Sequence, residues 1–343
     1  MASDFNRVKF LSSMQDALKE IHKAAKLGTE LAKKGILRII FVGCGAPNRA
    51  MSVIQYWLEL TAKNLHCRRY FSAEFINQNP PILDQNTLVI FGSHSGTTPE
   101  TVLAAKHATS CHCITIGITQ KIDSPLSKSV QHVLCYGQSP DDGYQHGYYS
   151  FFMLALALVS AMLKEMEGWN LHELIMSGLE IFPGVLADSI ATIETRTILD
   201  AQSYHHDSIM YIVASGPMFC TAYVTGVCIL MEMQWMHVFP SEAAEWFHGP
   251  FEIIDEKTPV ILLLGEDPSR PEIERVVRFC KKYTEKLLIY DSIDFEMKGI
   301  SKEARPIFAP FILQAAMDRL GEHLAVWHNH PLSTRRYMWK TDY

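Results

Sequence analysis

The sequence has no excess of positive charge: 31 Lys and Arg stand against 37 Asp and Glu, a net charge of -6. Without a basic run there is nothing to displace the counterions of a phosphate backbone, so nucleic-acid binding is not expected. No Cys-x-x-Cys pair occurs among the eight cysteines, which fall mostly in apolar segments. That spacing fits free thiols in a reducing cytoplasm, not a disulfide framework or a structural zinc site. No apolar run reaches the roughly 20 residues that cross a bilayer. The longest, residues 151–163, has 13 and reads as a buried helix. Residues 1–7 lack the charged, apolar, small order of a secretory signal, so no targeting segment and no membrane partner are expected. A complete Gly-x-Gly-x-x-Gly is missing too, since Gly43-Cys44-Gly45-Ala46-Pro47-Asn48 ends in Asn. With no acidic ribose ligand after the second strand, a nicotinamide cofactor is not expected.

What is present is ample core. Hydrophobic residues make up 48% of the 343, enough for one oversized domain or two ordinary ones. The apolar residues fall in short runs that end in glycine and recur at a nearly constant offset. Residues 36–42 (ILRIIFV) lead into Gly43-Cys44-Gly45, and 209–213 (IMYIV) into Ala214-Ser215-Gly216, with Gly45 and Gly216 171 residues apart. Residues 88–91 precede Gly92-Ser93 and 260–264 precede Gly265-Glu266, with the glycines 173 apart; third runs follow at 113–118 and 286–290. Self-similarity at a fixed offset marks a duplication. Continuous apolar strands separated by helical patterns are parallel and covered on both faces. The expected fold class is therefore α/β, with two tandem doubly wound parallel sheets. The expected organisation is a helical arm over 1–35, a first domain over 36–168, a helical linker over 169–203, a second domain over 204–327 and a tail over 328–343. The linker has helical spacing at Ile175, Leu179 and Phe182 and should break at Pro183. The tail carries His328, His330, Arg335, Arg336 and Lys340 without a core pattern, and reads as a solvated end.

Where the second strand of the first copy ends, the chain reads Ser93-His94-Ser95-Gly96-Thr97-Thr98-Pro99-Glu100. Thr98 before Pro99 suits an N-cap and first helical turn; Thr97 with Glu100 would instead form a capping box. Either register aims free backbone N–H groups and hydroxyls at the loop, a cradle for phosphate that needs no lysine. One Ser/Thr pair would be an ordinary capped turn. Four hydroxyls within six positions at a strand's carboxyl end also fit phosphate binding. The glycines around Gly45 allow backbone to approach a small ligand there. The matching place in the second copy, Gly265-Glu266-Asp267-Pro268-Ser269, would repel an anion, so only the first copy should hold one.

The helix after Gly216 is expected to run through 224–235 and to carry Glu232 among Ile229, Leu230, Met231, Met233 and Trp235. A carboxyl in such surroundings has a raised pKa when buried and can take and return a proton near neutrality; a structural Glu capping a neighbouring loop fits the same pattern. Sixteen residues on, Glu245-Trp246-Phe247-His248-Gly249-Pro250 places an imidazole in a loop that Gly-Pro stiffens, either as a solvated histidine or as a general acid. Cys111-His112-Cys113 with His107 lacks metal-ligand spacing and reads as packing.

The hydroxyl loop, the duplicated α/β layout and the Glu232 to His248 spacing together resemble the sugar isomerase (SIS) family of phosphosugar enzymes over nearly the whole chain. Within it, Met231-Glu232-Met233-Gln234-Trp235, Phe247-His248-Gly249-Pro250-Phe251-Glu252 and Thr334-Arg335-Arg336-Tyr337-Met338-Trp339-Lys340 look most like fructosamine 6-phosphate deglycases. The resemblance implies two Rossmann-like SIS domains and cofactor-free cleavage of a 6-phosphorylated fructosamine to glucose 6-phosphate and an amine or amino acid. Carried over by position, Ser93, Ser95 and Thr98 would hold the phosphate, Glu232 would be the general base and His248 the general acid. Gly45, His94, Thr97, Glu245 and Lys340 would be weaker substrate contacts. The histidine loop would come from a neighbouring subunit, which implies a homodimer with shared sites. The isomerase half of glucosamine 6-phosphate synthase is also similar, but a glutaminase domain and an N-terminal Cys nucleophile are missing, so ammonia channelling is not expected. Ala46-Pro47 stands where relatives often carry Ser or Thr. An aldose–ketose isomerase or an aminosugar-phosphate deaminase could use the same Glu and His. A non-enzymatic phosphosugar sensor fits the acidic charge and the retained Glu232 and His248 less well. The loop 137–149 (GQSPDDGYQHGYY) is the expected selector of the leaving amine.

Overall fold

Two all-parallel sheets form from the glycine-terminated runs. The first joins β1 (Arg38–Gly43), β2 (His66–Phe71), β3 (Thr87–Gly92), β4 (Ile114–Thr119) and β5 (His132–Cys135) in the order β2-β1-β3-β4-β5. The second joins β6 (Ile209–Ala214), β7 (His237–Glu242), β8 (Val260–Leu264) and β9 (Leu287–Asp291) in the order β7-β6-β8-β9. These are doubly wound sheets, with the chain turning back between β1 and β3 in one and between β6 and β8 in the other. The computed structural model describes residues 5–137, 144–338 and 340–342, and of residues 144–146 the backbone alone. Residues 138–143 of the expected selector loop 137–149 therefore lie outside the described residues.

The chain divides into two compact units, one built on Asn6–Gly184 with Gly299–Ala304, the other on Val185–Lys298 with Arg305–Tyr343. In the first, β1 and β3 are buried along almost their whole length, as their uninterrupted apolar sequence requires. The helix Gln15–Ala32 buries Ala17, Ile21, Ala24, Gly28 and Leu31, a single stripe at helical spacing. It packs closely on the helix Tyr144–Glu167, because a Cβ at Gly28 would stand 2.2 Å from the Leu158 carbonyl oxygen. Residues 151–163 are buried throughout within that second helix, as their sequence predicts.

The break expected at Pro183 does not occur: His172–Tyr204 is one helix with Pro183 inside it. Proline removes one donor and crowds one carbonyl, and the apolar residues on either side still form the helix. The 13-residue run also understated the apolar helices. By length and composition alone, Gly147–Glu167, His172–Tyr204 and Gly216–Gln234 are each long and apolar enough to cross a membrane. In this fold 83%, 61% and 67% of their most apolar windows are covered by protein.

The second unit has its core on β6 and β8, with Trp246, Val260, Leu262, Ile273 and Val276 clustered on one face of the sheet. The closing helix Arg305–Trp327 is buried almost throughout. All eight cysteines are free thiols.

Candidate active site

The turning point of the first sheet is built from glycine. Gly43 and Gly92 are paired in register at the ends of β1 and β3, and a Cβ on Gly43 would stand 2.8 Å from the Gly92 carbonyl oxygen. Gly45 follows in the left-handed region at φ 58° with open space around it. The hydroxyl loop leaves β3 at this point. Thr98 is the N-cap of the helix Pro99–Ser110, with Pro99 at the first turn. The Thr98–Pro99 register is therefore the one that forms, without a side-chain cap bond, because the Thr98 hydroxyl pairs with Ser93 Oγ at 2.9 Å. Ser93 Oγ also accepts from Gly96 N, while Ser95 Oγ meets Thr97 Oγ1 at 2.8 Å and accepts from Thr97 N. The hydroxyls therefore order the loop, and the first-turn N–H groups of the helix have no side-chain cap: the arrangement a phosphate requires.

The loop is braced from behind. Gly96 takes φ 68°, and a Cβ there would sit 2.3 Å from Ser124 Oγ. Leu126 N donates to the Gly96 carbonyl, and Thr119 Oγ1 and Gln120 N both donate to that of His94. His94 also bonds through Nδ1 to Tyr136 Oη at 2.7 Å, a buried phenol whose pKa burial pushes well above its ordinary value. The imidazole occupies the space that a side chain at Gly147 would fill, since a Cβ there would lie 1.6 Å from His94 Cε1. Gly147 belongs to the loop 137–149 expected to select the amine, whereas nothing in the local sequence marks Tyr136, one residue before it.

At the corresponding place in the second sheet the crevice is occupied. Gly216, again left-handed at φ 51°, has Ser269 Oγ 2.4 Å from its would-be Cβ. Ser269 Oγ donates to the Asp267 carboxylate at 2.6 Å and is hydrogen-bonded with Ser215 Oγ at 3.0 Å, and Arg305 grips Glu266 through two bonds of 2.9 Å.

The second unit carries its carboxylate at the other end of its sheet. After β6 the chain passes through short 3-10 and α turns, then a π-helix over Val224–Met231, before Glu232–Gln234 resumes α winding. The continuous α-helix expected here is thus replaced over eight residues by a wider winding, which the apolar run VTGVCILM does not announce. Trp235 closes the helix at φ 57°, with Trp235 N on the Met231 carbonyl and Met236 N on that of Leu230. A bulky residue in this region is strained, and such strain gathers at functional sites.

Glu232 is half-buried, and Arg335 donates to its Oε1 at 2.9 Å. Burial raises the Glu232 pKa, and the Arg335 charge and hydrogen bond partly oppose it. The tail is therefore no solvated end at this point. Arg335 is only 7% exposed, His328 bonds to Gln234 and to the His205 carbonyl, and Gln234 donates to the His330 carbonyl. Burying a carboxylate calls for a cation, and the aperiodic tail supplies it, which is why no pattern revealed the pair. A cleft of about 500 Å³ opens beside Glu232, lined by Trp235, His237 and Arg335–Met338 among others. Lys340 is exposed and donates through Nζ to the Arg335 carbonyl at 2.5 Å. Glu245 and His248 are exposed on the turn after β7, with His248 N on the Glu245 carbonyl, and neither lines the cleft. A larger cleft, about 630 Å³, lies in the first unit where β1 and β2 begin at Arg38 and His66, away from the carboxyl ends where α/β sheets hold ligands.

Residues 30–164 match the SIS domain family. Over 92% of this chain and 95% of the relative, the sequence is 37% identical to fructosamine deglycase FrlB of Bacillus subtilis (strain 168). It is 28% identical to fructoselysine 6-phosphate deglycase of Escherichia coli (strain K12), over 90% and 87%. A crystal structure from Bacillus subtilis described as a phosphosugar isomerase superposes with a TM-score of 0.88 at 35% identity, covering 97% of this chain and 99% of that one. The chain belongs to the SIS-domain family of phosphosugar enzymes, in the group that contains the fructosamine deglycases.

Proposed function

We propose that the protein is a deglycase that converts a 6-phosphorylated fructosamine and water to glucose 6-phosphate and a free amino acid or amine. The observation that carries this reading is Glu232, a half-buried carboxyl with a raised pKa that opens on a cleft and is held by Arg335. Such a group is suited to removing a proton next to a carbonyl and returning it. Similarity to two deglycases over nine-tenths of the chain supports the choice of substrate.

In this reading Ser93, Ser95 and Thr98, with the uncapped N–H groups after them, anchor the 6-phosphate and position the sugar. His248 assists ring opening. Glu232 takes a proton from C1 of the open ketosamine while the C2 oxygen gains one, giving the enaminol. The carboxylic acid then returns its proton to C2, leaving an iminium at C1. Water adds there and the amine departs, so the balance is one water consumed and one C–N bond broken. His248 is exposed and absent from the lining of the Glu232 cleft, which supports a homodimer in which the partner supplies it. Free thiols throughout support action in the cytoplasm.

The test is to incubate the protein with 6-phosphorylated fructosyl and glucosyl amino acids and measure glucose 6-phosphate and free amine together. Stoichiometric release of both from a fructosyl compound is expected. An aldose–ketose isomerase would use the same carboxylate, and the Bacillus subtilis structure described as a phosphosugar isomerase favours it as the second reading. Interconversion of simple hexose phosphates without release of amine from any compound would replace the deglycase with that isomerase.

A further inference from the structure

The cleft beside Glu232 has more positive charge than Glu232 needs. Arg335 is committed to the carboxylate at 2.9 Å. Arg336, the next residue, also lines the cleft, and its guanidinium lies over the Trp235 ring at 4.1 Å. Among the described residues no carboxylate pairs with it. Lying over the indole, the guanidinium has its N–H fork unspent among the described residues, and such a fork grips a carboxylate through two bonds. Trp235 closes its helix at φ 57°, with its N–H on the Met231 carbonyl, and His330 meets its ring edge-on at 4.4 Å. The remaining walls, Met231, Met236 and Met338, are apolar and adaptable.

The proposed chemistry says what belongs in such a space. If Glu232 works on the hydrogens of C1, the nitrogen bonded to C1 lies beside it, and whatever that nitrogen carries starts at the mouth of this cleft. We propose that Arg336 is a specificity-determining residue that binds the carboxylate of the departing amino acid, with Trp235 and the methionines receiving its side chain. The inference rests on the deglycase reading and adds to it a residue that chooses between amino-acid and simple-amine substrates.

The test compares 6-phosphofructosyl-glycine with 6-phosphofructosyl-glycinamide, which differ only in that charge, by following glucose 6-phosphate release. The wild-type protein should favour the carboxylate in kcat/KM by on the order of tenfold, the worth of one charge-assisted hydrogen bond. Arg336→Ala should bring the ratio close to one through the KM of the glycine compound. Arg336→Lys, which keeps the charge and loses the fork, should fall between. A wild-type protein that cleaves both compounds equally well, or an Arg336→Ala variant that keeps the wild-type ratio, overturns the carboxylate role and leaves the deglycase standing. Release of glucose 6-phosphate from neither compound nor from any other 6-phosphofructosyl amino acid overturns both.

Discussion

The two sheets begin from nearly the same sequence plan and reach opposite ends of it. In the first, the turning point between β1 and β3 is kept open by glycines, and the loop that follows uses uncharged hydroxyls to hold its own shape. In the second, the same point is closed by Ser215, Asp267 and Ser269, with Arg305 neutralising Glu266. Its half-buried carboxylate, Glu232, is at the far end, just before β7. The crevice of one copy is open, and that of the other is filled with internal polar bonds. A fold supplies a place for a site in each copy; the side chains decide whether it is used.

This division of labour can be broken by experiment. Glu232→Gln removes the proton carrier and leaves the hydroxyl loop intact. It should lower kcat about 10²–10⁴-fold with little change in KM. Mixing it with His248→Ala protomers should restore part of the activity if each site draws on two subunits. Steady-state kinetics on the single and exchanged proteins measures both effects, and a fully active Glu232→Gln protein would remove the second copy from the chemistry. The glycine pair gives a sharper comparison. Gly96→Ala and Gly216→Ala each force a left-handed residue to carry a Cβ, 2.3 Å from Ser124 Oγ in one and 2.4 Å from Ser269 Oγ in the other. Both should cost about 1–3 kcal/mol in urea unfolding. Only Gly96→Ala should raise KM for the phosphosugar, by roughly tenfold. An equal KM rise in both would mean that the two crevices do the same work. The smallest effect is on pH. The general base must be ionised, so kcat falls as pH drops through the raised Glu232 pKa. Arg335→Met removes the influence that lowers this pKa and leaves burial unopposed, so the acid limb of the kcat profile should move to higher pH by about one unit. A limb that stays in place would mean that the guanidinium does not tune the base.

The sequence revealed the sheets through their central strands. The runs that became β1, β3, β4, β6 and β8, together with β9, are continuously apolar because most are covered on both faces. The strands with no such signal, β2, β5 and β7, all lie at sheet edges, where only scattered positions are buried. Edge strands can carry charge, as β2 does in Arg68 and Arg69, and proline, as β7 does in Pro240. The candidate site divides in the same way. The hydroxyl loop and Glu232 stood out because each contrasts with its own neighbours in the chain. The pairs Glu232 with Arg335 and His94 with Tyr136 join residues 103 and 42 positions apart, and no local contrast marks them.

The eight-residue π winding before Glu232 has a consequence for how this chain tolerates length changes. Each residue along an α-helix advances the side chain by about 100° around the axis. A wider winding spends more residues on the same rotation, so deleting one residue between Val224 and Met231 and relaxing to ordinary winding would largely preserve the direction of the Glu232 carboxyl, whereas a deletion in an α-wound stretch would swing it from Arg335 by roughly that angle. The aim of the proposed general base is therefore set by winding and residue count together.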